Sequence, residues 1–354
     1  MYKRTIFFFL LFSLCVSSCG PGQSFGPTIT PSPSSTPLPT LTPTITPTPI
    51  GRSSGRILHT RQNIDIKDEQ VYDIYITSID NSISIQITKN SDENITYSGP
   101  IASHNGKKIA YVKHENTGVT YYGQPFHSSE IYIMDVNGDN KEKISNIQMY
   151  VGKIQITYYL RESYPSWSPD DNKLAFNSNR NALIDDLNPE DSEIYVIDLQ
   201  TYEIQQLTKA SGYSMHPSWS PDGKYITFMS NRDGDWDIYY MTSDGSGKDM
   251  KITNNTATDR FPSWSNNGDK IIYHSDRDGN LNLYIYDFNT EKETQLTNHP
   301  ANEMTARWSP DDNWIVFVSD RDGDDEIYIM NIKTKEEIKI TDNDISDAFQ
   351  NWIP

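Results

Sequence analysis

Pro217-Ser218-Trp219-Ser220-Pro221-Asp222-Gly223, followed by Asp237-Ile238-Tyr239, is one copy of a pattern that runs through most of the chain. The shorter phrase returns as Asp73-Ile74-Tyr75, Glu130-Ile131-Tyr132, Glu193-Ile194-Tyr195, Asn282-Leu283-Tyr284 and Glu326-Ile327-Tyr328. The last four copies lie 44 or 45 residues apart, and the first intervals are longer. Self-similarity at such a period marks stacked copies of one supersecondary unit.

Further columns repeat with it. The anchor recurs as Pro165-Ser166-Trp167-Ser168-Pro169-Asp170-Asp171, Pro262-Ser263-Trp264-Ser265-Asn266-Asn267-Gly268 and Ala306-Arg307-Trp308-Ser309-Pro310-Asp311-Asp312, with a degenerate copy at Pro100–Gly106. An apolar stretch follows each anchor, as in Ile226-Thr227-Phe228, and each Ile-Tyr stretch is followed by one ending as in Leu207-Thr208 or Ile340-Thr341. Pro, Asp, Asn and Gly in the anchors and in Arg232-Asp233-Gly234, Arg277-Asp278-Gly279 and Arg321-Asp322-Gly323 are hairpin-turn residues. Ile, Tyr, Phe and Val between them suit strands packed between sheets. Four short strands per period are a propeller blade.

The count is six blades, an all-β fold of four-stranded antiparallel units. The first blade has only three strands, near Ile57, Ile74 and Ile85, whereas the chain ends on a lone anchor, Phe349-Gln350-Asn351-Trp352-Ile353-Pro354. The expectation is that Trp352 and its strand complete the first blade, which closes the ring and removes open sheet edges. Arg56-Ile57-Leu58-His59 in that blade fits more than one register.

Tandem Pro-x-Trp-Ser-Pro-Asp-Gly, Ser-x-Arg-Asp-Gly and Ile-Tyr-x-Met resemble the TolB-type six-bladed β-propeller. The resemblance covers residues 56–354 and is specific for fold. Propellers of this kind serve as scaffolds, as sugar-acting enzymes and in front of peptidase domains, so function needs a site of its own.

Residues 1–18 read as an export signal: Lys3 and Arg4, then an apolar run from Ile6 to Leu14 that is too short to span a bilayer. Val16-Ser17-Ser18-Cys19 resembles a bacterial lipoprotein cleavage site, with Cys19 as the lipidated residue. The other cysteine, Cys15, would leave with the signal, so the propeller holds no disulfide. Residues 19–55 form a stalk of Thr, Pro and Ser that cannot build a core and favours extended geometry, with a reach of roughly 100 Å at about 3.1 Å per residue. The expected location is extracytoplasmic, on the periplasmic or cell-surface side, with the membrane met only through the lipid.

The formal net charge is −18, from 48 acidic against 30 basic residues, and loss of the signal deepens it. That excludes a nucleic-acid binder, which needs a basic face, and a domain lying on anionic lipid. Signals for catalysis are poor. Gly22-Gln23-Ser24-Phe25-Gly26 matches a nucleophile motif but sits in the stalk, without the strand–turn–helix context that the motif needs. The seven His residues are scattered, with His216 beside an anchor Pro the one of interest. No catalytic residue is assigned.

Arg180, Arg232, Arg277 and Arg321 follow the second strands, and pairing across the hairpin with Glu193, Asp237, Asn282 and Glu326 is expected. The anchor tryptophans Trp167, Trp219, Trp264, Trp308 and Trp352 are structural. Alternating oxygens at Asp233 and Asp235, and at Asp322 and Asp324, are spaced as in a calcium loop but lack its Gly and Glu. Turn chemistry accounts for them more simply, and no other cofactor is expected. Three insertions share one face of the disc: 114–129 with Tyr121, Tyr122 and Phe126, 146–161 with Tyr150, Tyr158 and Tyr159, and 181–192 with Asp185 and Asp186. Such loops are where ligands usually bind. Three residues before each anchor Pro or its equivalent stand Tyr97, Glu162, Ser214, Asp259, Glu303 and Asp347. Glu162, Asp259, Glu303 and Asp347 would form an acidic ring at the channel mouth if they converge, or cap their own turns if they do not.

The resulting expectation is a monomeric, lipid-anchored binding or envelope-assembly module for a protein or peptide with a basic patch, or for a glycan. The alternative is a propeller that binds or cleaves polysaccharide. Cys19→Ser is expected to move the protein from the membrane to the soluble fraction on sedimentation. Continued sedimentation with membranes would remove the anchor.

Overall fold

The computed structural model describes residues 55–63, 71–121, 124–144, 161–180 and 192–354, without the side chains of 117–127. These residues form six four-stranded antiparallel sheets, and no helix is found among them. Cys19 and the stalk lie outside the described residues, as do Tyr122, Tyr150, Tyr158, Tyr159, Asp185 and Asp186.

Each blade is a meander in chain order. Blade five runs Asp259–Trp264, Lys270–Ser275, Asn282–Asp287 and Lys292–Gln295. Its two middle strands are buried along most of their length, and the fourth is exposed, because blades stack face to face and only the outer rim meets water. An apolar cluster fills each blade interface. Between blades five and six, Ile272 and Leu283 meet Trp308, Ile315 and Phe317. Trp indoles stitch the same interfaces: Trp167, Trp308 and Trp352 donate to the carbonyls of Ile101, Ser263 and Arg307 on the preceding blade.

Two recurring side-chain motifs explain the repeated letters. In the anchor turn, Ser220 donates to Asp222 and accepts the N–H of Tyr225; Ser168 and Ser309 do the same in their blades, and Ser265 does so with Asn267 in place of the Asp. In the outer hairpin, the Thr that ends the fourth strand accepts the N–H of the Ile beside the third-strand acid and donates to that acid. Thr253 joins Ile238 to Asp237 in this way, and Thr88, Thr208 and Thr341 repeat it. The phrases at Asp73, Glu193, Asp237 and Glu326 are thus each tied to a Thr in the same outer hairpin.

The ring closes as the sequence indicates. Asp347–Ile353 is the innermost strand of blade one, with Arg56 opposite Ile353, Ile57 opposite Trp352 and a register shift between Leu58 and Thr60. Trp352 and Ile57 pack on Trp314 and Val316 of blade six. Asp347 is fully buried and bonded to the strand Arg56–Gln62, with His59 Nδ1 and Arg61 Nε each 2.9 Å from its Oδ1. Burial pushes the Asp347 carboxyl up, but His59 and Arg61 outweigh it and hold the group below the usual carboxylate range. A depressed folded pKa adds stability above the unfolded value, near pH 4, that disappears as pH falls through the folded value. Asp347→Asn is therefore expected to lower stability by about 1–3 kcal/mol at neutral pH. In thermal melts the gap to wild type should stay constant down to about pH 5 and narrow below about pH 4. A pH-independent gap would contradict this closure pair.

Candidate functional site

The innermost strands surround the axis, and each is broken at one point. Their ranges are Ile95–Ala102, Glu162–Trp167, Ser214–Trp219, Asp259–Trp264, Glu303–Trp308 and Asp347–Ile353. In blade four Met215 pairs with Met229 and Ser218 with Thr227, so two residues face Phe228 alone. This is a β-bulge. Proline explains its place: Pro100, Pro165, Pro217 and Pro262 have no N–H for the ladder and fit a strand only at such a break. The residue just before is left-handed in every blade: Gly99, Tyr164, His216, Phe261, Thr305 and Phe349 have φ of 54°, 54°, 58°, 57°, 56° and 53°.

All six line one axial cavity of about 160 Å³. Its rim includes His104, Pro221, Asn266 and Pro310 from the anchor turns, on the face opposite the Arg-Asp-Gly turns between second and third strands. Tyr164, His216 and Phe261 form an aromatic wall, with His216 centred 4.6 Å from Tyr164 and 4.4 Å from Phe261. Phe261 stacks on His274 at 5.1 Å. Across the cavity Gln350 donates to the Thr305 carbonyl at 2.6 Å, and Gly99 leaves a gap in the ring.

Arg307 is the one Arg or Lys side chain among the described lining residues. It is half-buried, and its Nη2 lies 3.2 Å from His216 Nε2. Burial lowers the Arg307 guanidinium to about 10, where it is still charged at neutral pH. Burial first, then Arg307 and His274, holds His216 well below the usual imidazole value; burial with Arg260 and Arg307 takes His274 down to about 3. Both imidazoles are neutral. Burial raises the Tyr164 phenol to about 12. No Asp or Glu is among the described residues lining the cavity.

The four acids of the expected ring do not line this cavity. Glu162, Asp259, Glu303 and Asp347 are buried, and each is paired with an Arg of its own blade: Arg180, Arg277, Arg321 and Arg61. Arg232 donates to Ser214 at the same point of blade four. Each of these acids is thus engaged inside its own blade. The Arg partners also differ from expectation. Glu193, Asp237 and Glu326 are occupied by Thr208, Thr253 and Thr341, while each Arg turns inward and lies over the aromatic rings of its hairpin. Arg277 and Arg321 are 4.2 and 4.4 Å from the Tyr284 and Tyr328 ring centres. Their other guanidinium arm takes Glu293 or Glu337 of the fourth strand. One side chain thereby ties all four strands.

Asp233 and Asp322 accept from Tyr239 and Tyr328 within their own turns. Desolvation raises the carboxyl of Asp324, and Asp235 is partly buried. Among the described residues no three His, Cys, Asp or Glu side chains are placed to share a metal. The first insertion is regular: Lys108–Tyr121 and Gln124–Asp135 pair as a long hairpin that carries Tyr121 and Phe126. Trp167, Trp264, Trp308 and Trp352 are buried at blade interfaces, and Trp219 is partly buried against the blade three to four cluster.

The family model described as the TolB beta propeller domain matches residues 50–277 and 246–354. The chain belongs to the TolB β-propeller family. The crystal structure of TolB from Acinetobacter baumannii is similar over 86% of this chain and 68% of that one, with a TM-score of 0.67 and 24% identity. A putative TolB from Agrobacterium tumefaciens is similar over 84% and 99%, with a TM-score of 0.60 and 18% identity. At these identities the likeness speaks for the fold. The Tol-Pal system protein TolB of Alcanivorax borkumensis is 37% identical over 70 residues, 20% of this chain and 14% of that protein. The first curated relatives are matched over 33% of their own length or less.

If the inner-strand acids are structural partners, removing the Arg alone should leave a buried carboxylate uncompensated. Arg321→Leu is expected to cost about 3–5 kcal/mol, and Arg321→Leu/Glu303→Leu to recover much of it. Denaturant unfolding of the two variants measures this. Equal losses would return Glu303 to a role outside its blade.

Proposed function

We propose that this TolB-type propeller is an extracytoplasmic binding module, held by lipid on Cys19 and a Thr/Pro-rich stalk, that receives a segment of a protein partner at its axial cavity. The carrying observation is the cavity itself. Six left-handed residues turn toward one axis, and the aromatic ones with Arg307 make a concave, mixed apolar and cationic surface. Buried aromatics beside an Arg are the usual anchors of protein recognition. Family membership and the similarity to a Tol-Pal system protein support the same reading. The partner with a basic patch loses its basis, because it rested on acids that are spent inside the blades. A glycan hydrolase would call for a pair of Asp or Glu side chains at the cavity, and the described lining has neither.

Affinity capture from an extract of the native envelope, after crosslinking, tests the reading. The wild-type protein should retain a defined protein, and Phe261→Ala/Phe349→Ala, checked for folding by its melting curve, should retain at least about tenfold less. Equal retention by both proteins would put the partner on another surface, and no retention by either would end the proposal.

A further inference from the structure

The hydrogen-bonding state of the axial cavity is defined by its protons. An Arg side chain has five N–H donors and no acceptor. Arg307 therefore donates across the 3.2 Å to His216, whose Nε2 must be the acceptor. In a neutral imidazole the proton then sits on Nδ1. That Nδ1 is buried and has no hydrogen-bond partner, in a residue only 3% exposed that lines the cavity. His274 behaves likewise, since its Nδ1 accepts the N–H of Thr305 at 3.3 Å and its proton lies on Nε2. Among the described residues the other acceptor for Arg307 is the Ala306 carbonyl at 3.3 Å, and no salt bridge to it is found there. Among the described residues the cavity thus holds one guanidinium charge without a counter-ion, with His216 Nε2 accepting from it on one side, beside Tyr164, Phe261 and Phe349.

Donors in surplus with a single positive charge call for an acceptor-only monoanion. A carboxylate meets both conditions: two oxygens, one charge, and a planar fork that a guanidinium matches. A phosphate dianion would be half neutralised. A cavity of about 160 Å³ that opens at the anchor-turn rim is large enough to admit a side chain. We propose that the axial cavity is a carboxylate site, built by Arg307 and His216, and that a partner segment fills it with an acidic side chain beside an apolar or aromatic one. This rests on the protein-binding reading above for the source of the carboxylate, and on the cavity alone for the carboxylate itself.

The probes are phenylacetate, its neutral counterpart phenylacetamide, and digalacturonate, titrated into the full-length protein with ligand-observed NMR. Phenylacetate should bind in the millimolar range, about −4 kcal/mol, and at least tenfold more tightly than phenylacetamide. Arg307→Gln should abolish that preference, and Arg307→Lys should keep part of it. If Arg307→Gln does not fold, the acid-against-amide comparison on wild type decides alone. Equal binding of acid and amide, or no binding of phenylacetate at tens of millimolar, overturns the site. Stronger binding of digalacturonate than of phenylacetate overturns the acidic protein segment in favour of a sugar acid. Phenylacetate binding without any captured partner leaves the carboxylate site standing and removes the protein-binding reading.

Discussion

A left-handed residue at the same point of each inner strand is the constraint on which the site depends. Regular strands would run past the axis with side chains alternating between blade interfaces. The bulge redirects one residue per blade toward the centre instead. For five of the six that residue is not glycine, and a left-handed L-residue costs about 1–2 kcal/mol. Such geometry persists where the surroundings over-determine it. Here they do: proline withdraws an N–H just after it in four blades, and in blade one Gln350 takes the proline's place and bonds back to Thr305 of blade six. Backbone strain and axial side chains are one design.

The blades around this axis are held by polar contacts as much as by apolar ones. Each Arg after a second strand replaces several separate interactions: a carboxylate or hydroxyl on the first strand, a Ser on the second, two aromatic faces and, for Arg277 and Arg321, an acid on the fourth. Arg277 makes all of these, with Asp259, Ser275, Tyr273, Tyr284 and Glu293. The buried carboxylates would be a heavy desolvation cost without it. That dependence explains why an acid recurs at a position with almost no solvent contact.

Repeat columns made the architecture readable. Blade number, closure by Trp352 and the turn assignments all follow from where Trp, Asp-Gly and Ile-Tyr fall, since those residues are tied to strand ends and turns by local chemistry. Side-chain direction was not readable in the same way. Spacing set Arg321 opposite Glu326 across a hairpin, yet the chain turns past the strand end and carries the guanidinium to Glu303. The acids at 162, 259, 303 and 347 were correctly placed at strand starts, but which way they face depends on the bulge two residues later. The signal for the cavity was present and unread. Arg307 stands in the column that holds Ser166, Ser218 and Ser263 in other blades, and a charge replacing a small residue in an inner strand must have a reason outside the repeat. His216 stood out in sequence only through its neighbouring proline.

Net charge and site charge point in opposite directions, and the same structural economy produces both. A chain of −18 suggests cationic ligands when its charges are counted as one field. Yet the acids nearest the axis are bound to Arg side chains of their own blades and show little charge to the cavity. Arg307 has no such partner and stands beside imidazoles that burial keeps neutral. At short range in a partly desolvated pocket, one uncompensated guanidinium outweighs many screened charges on the rim, since exposed charges beyond about 8–10 Å are largely screened at physiological salt. The surface then repels polyanions at a distance, while the axis accepts a single anionic group that arrives on an otherwise neutral or basic segment. Selectivity of that kind follows from where the carboxylates are spent, and no count of acidic and basic residues contains it.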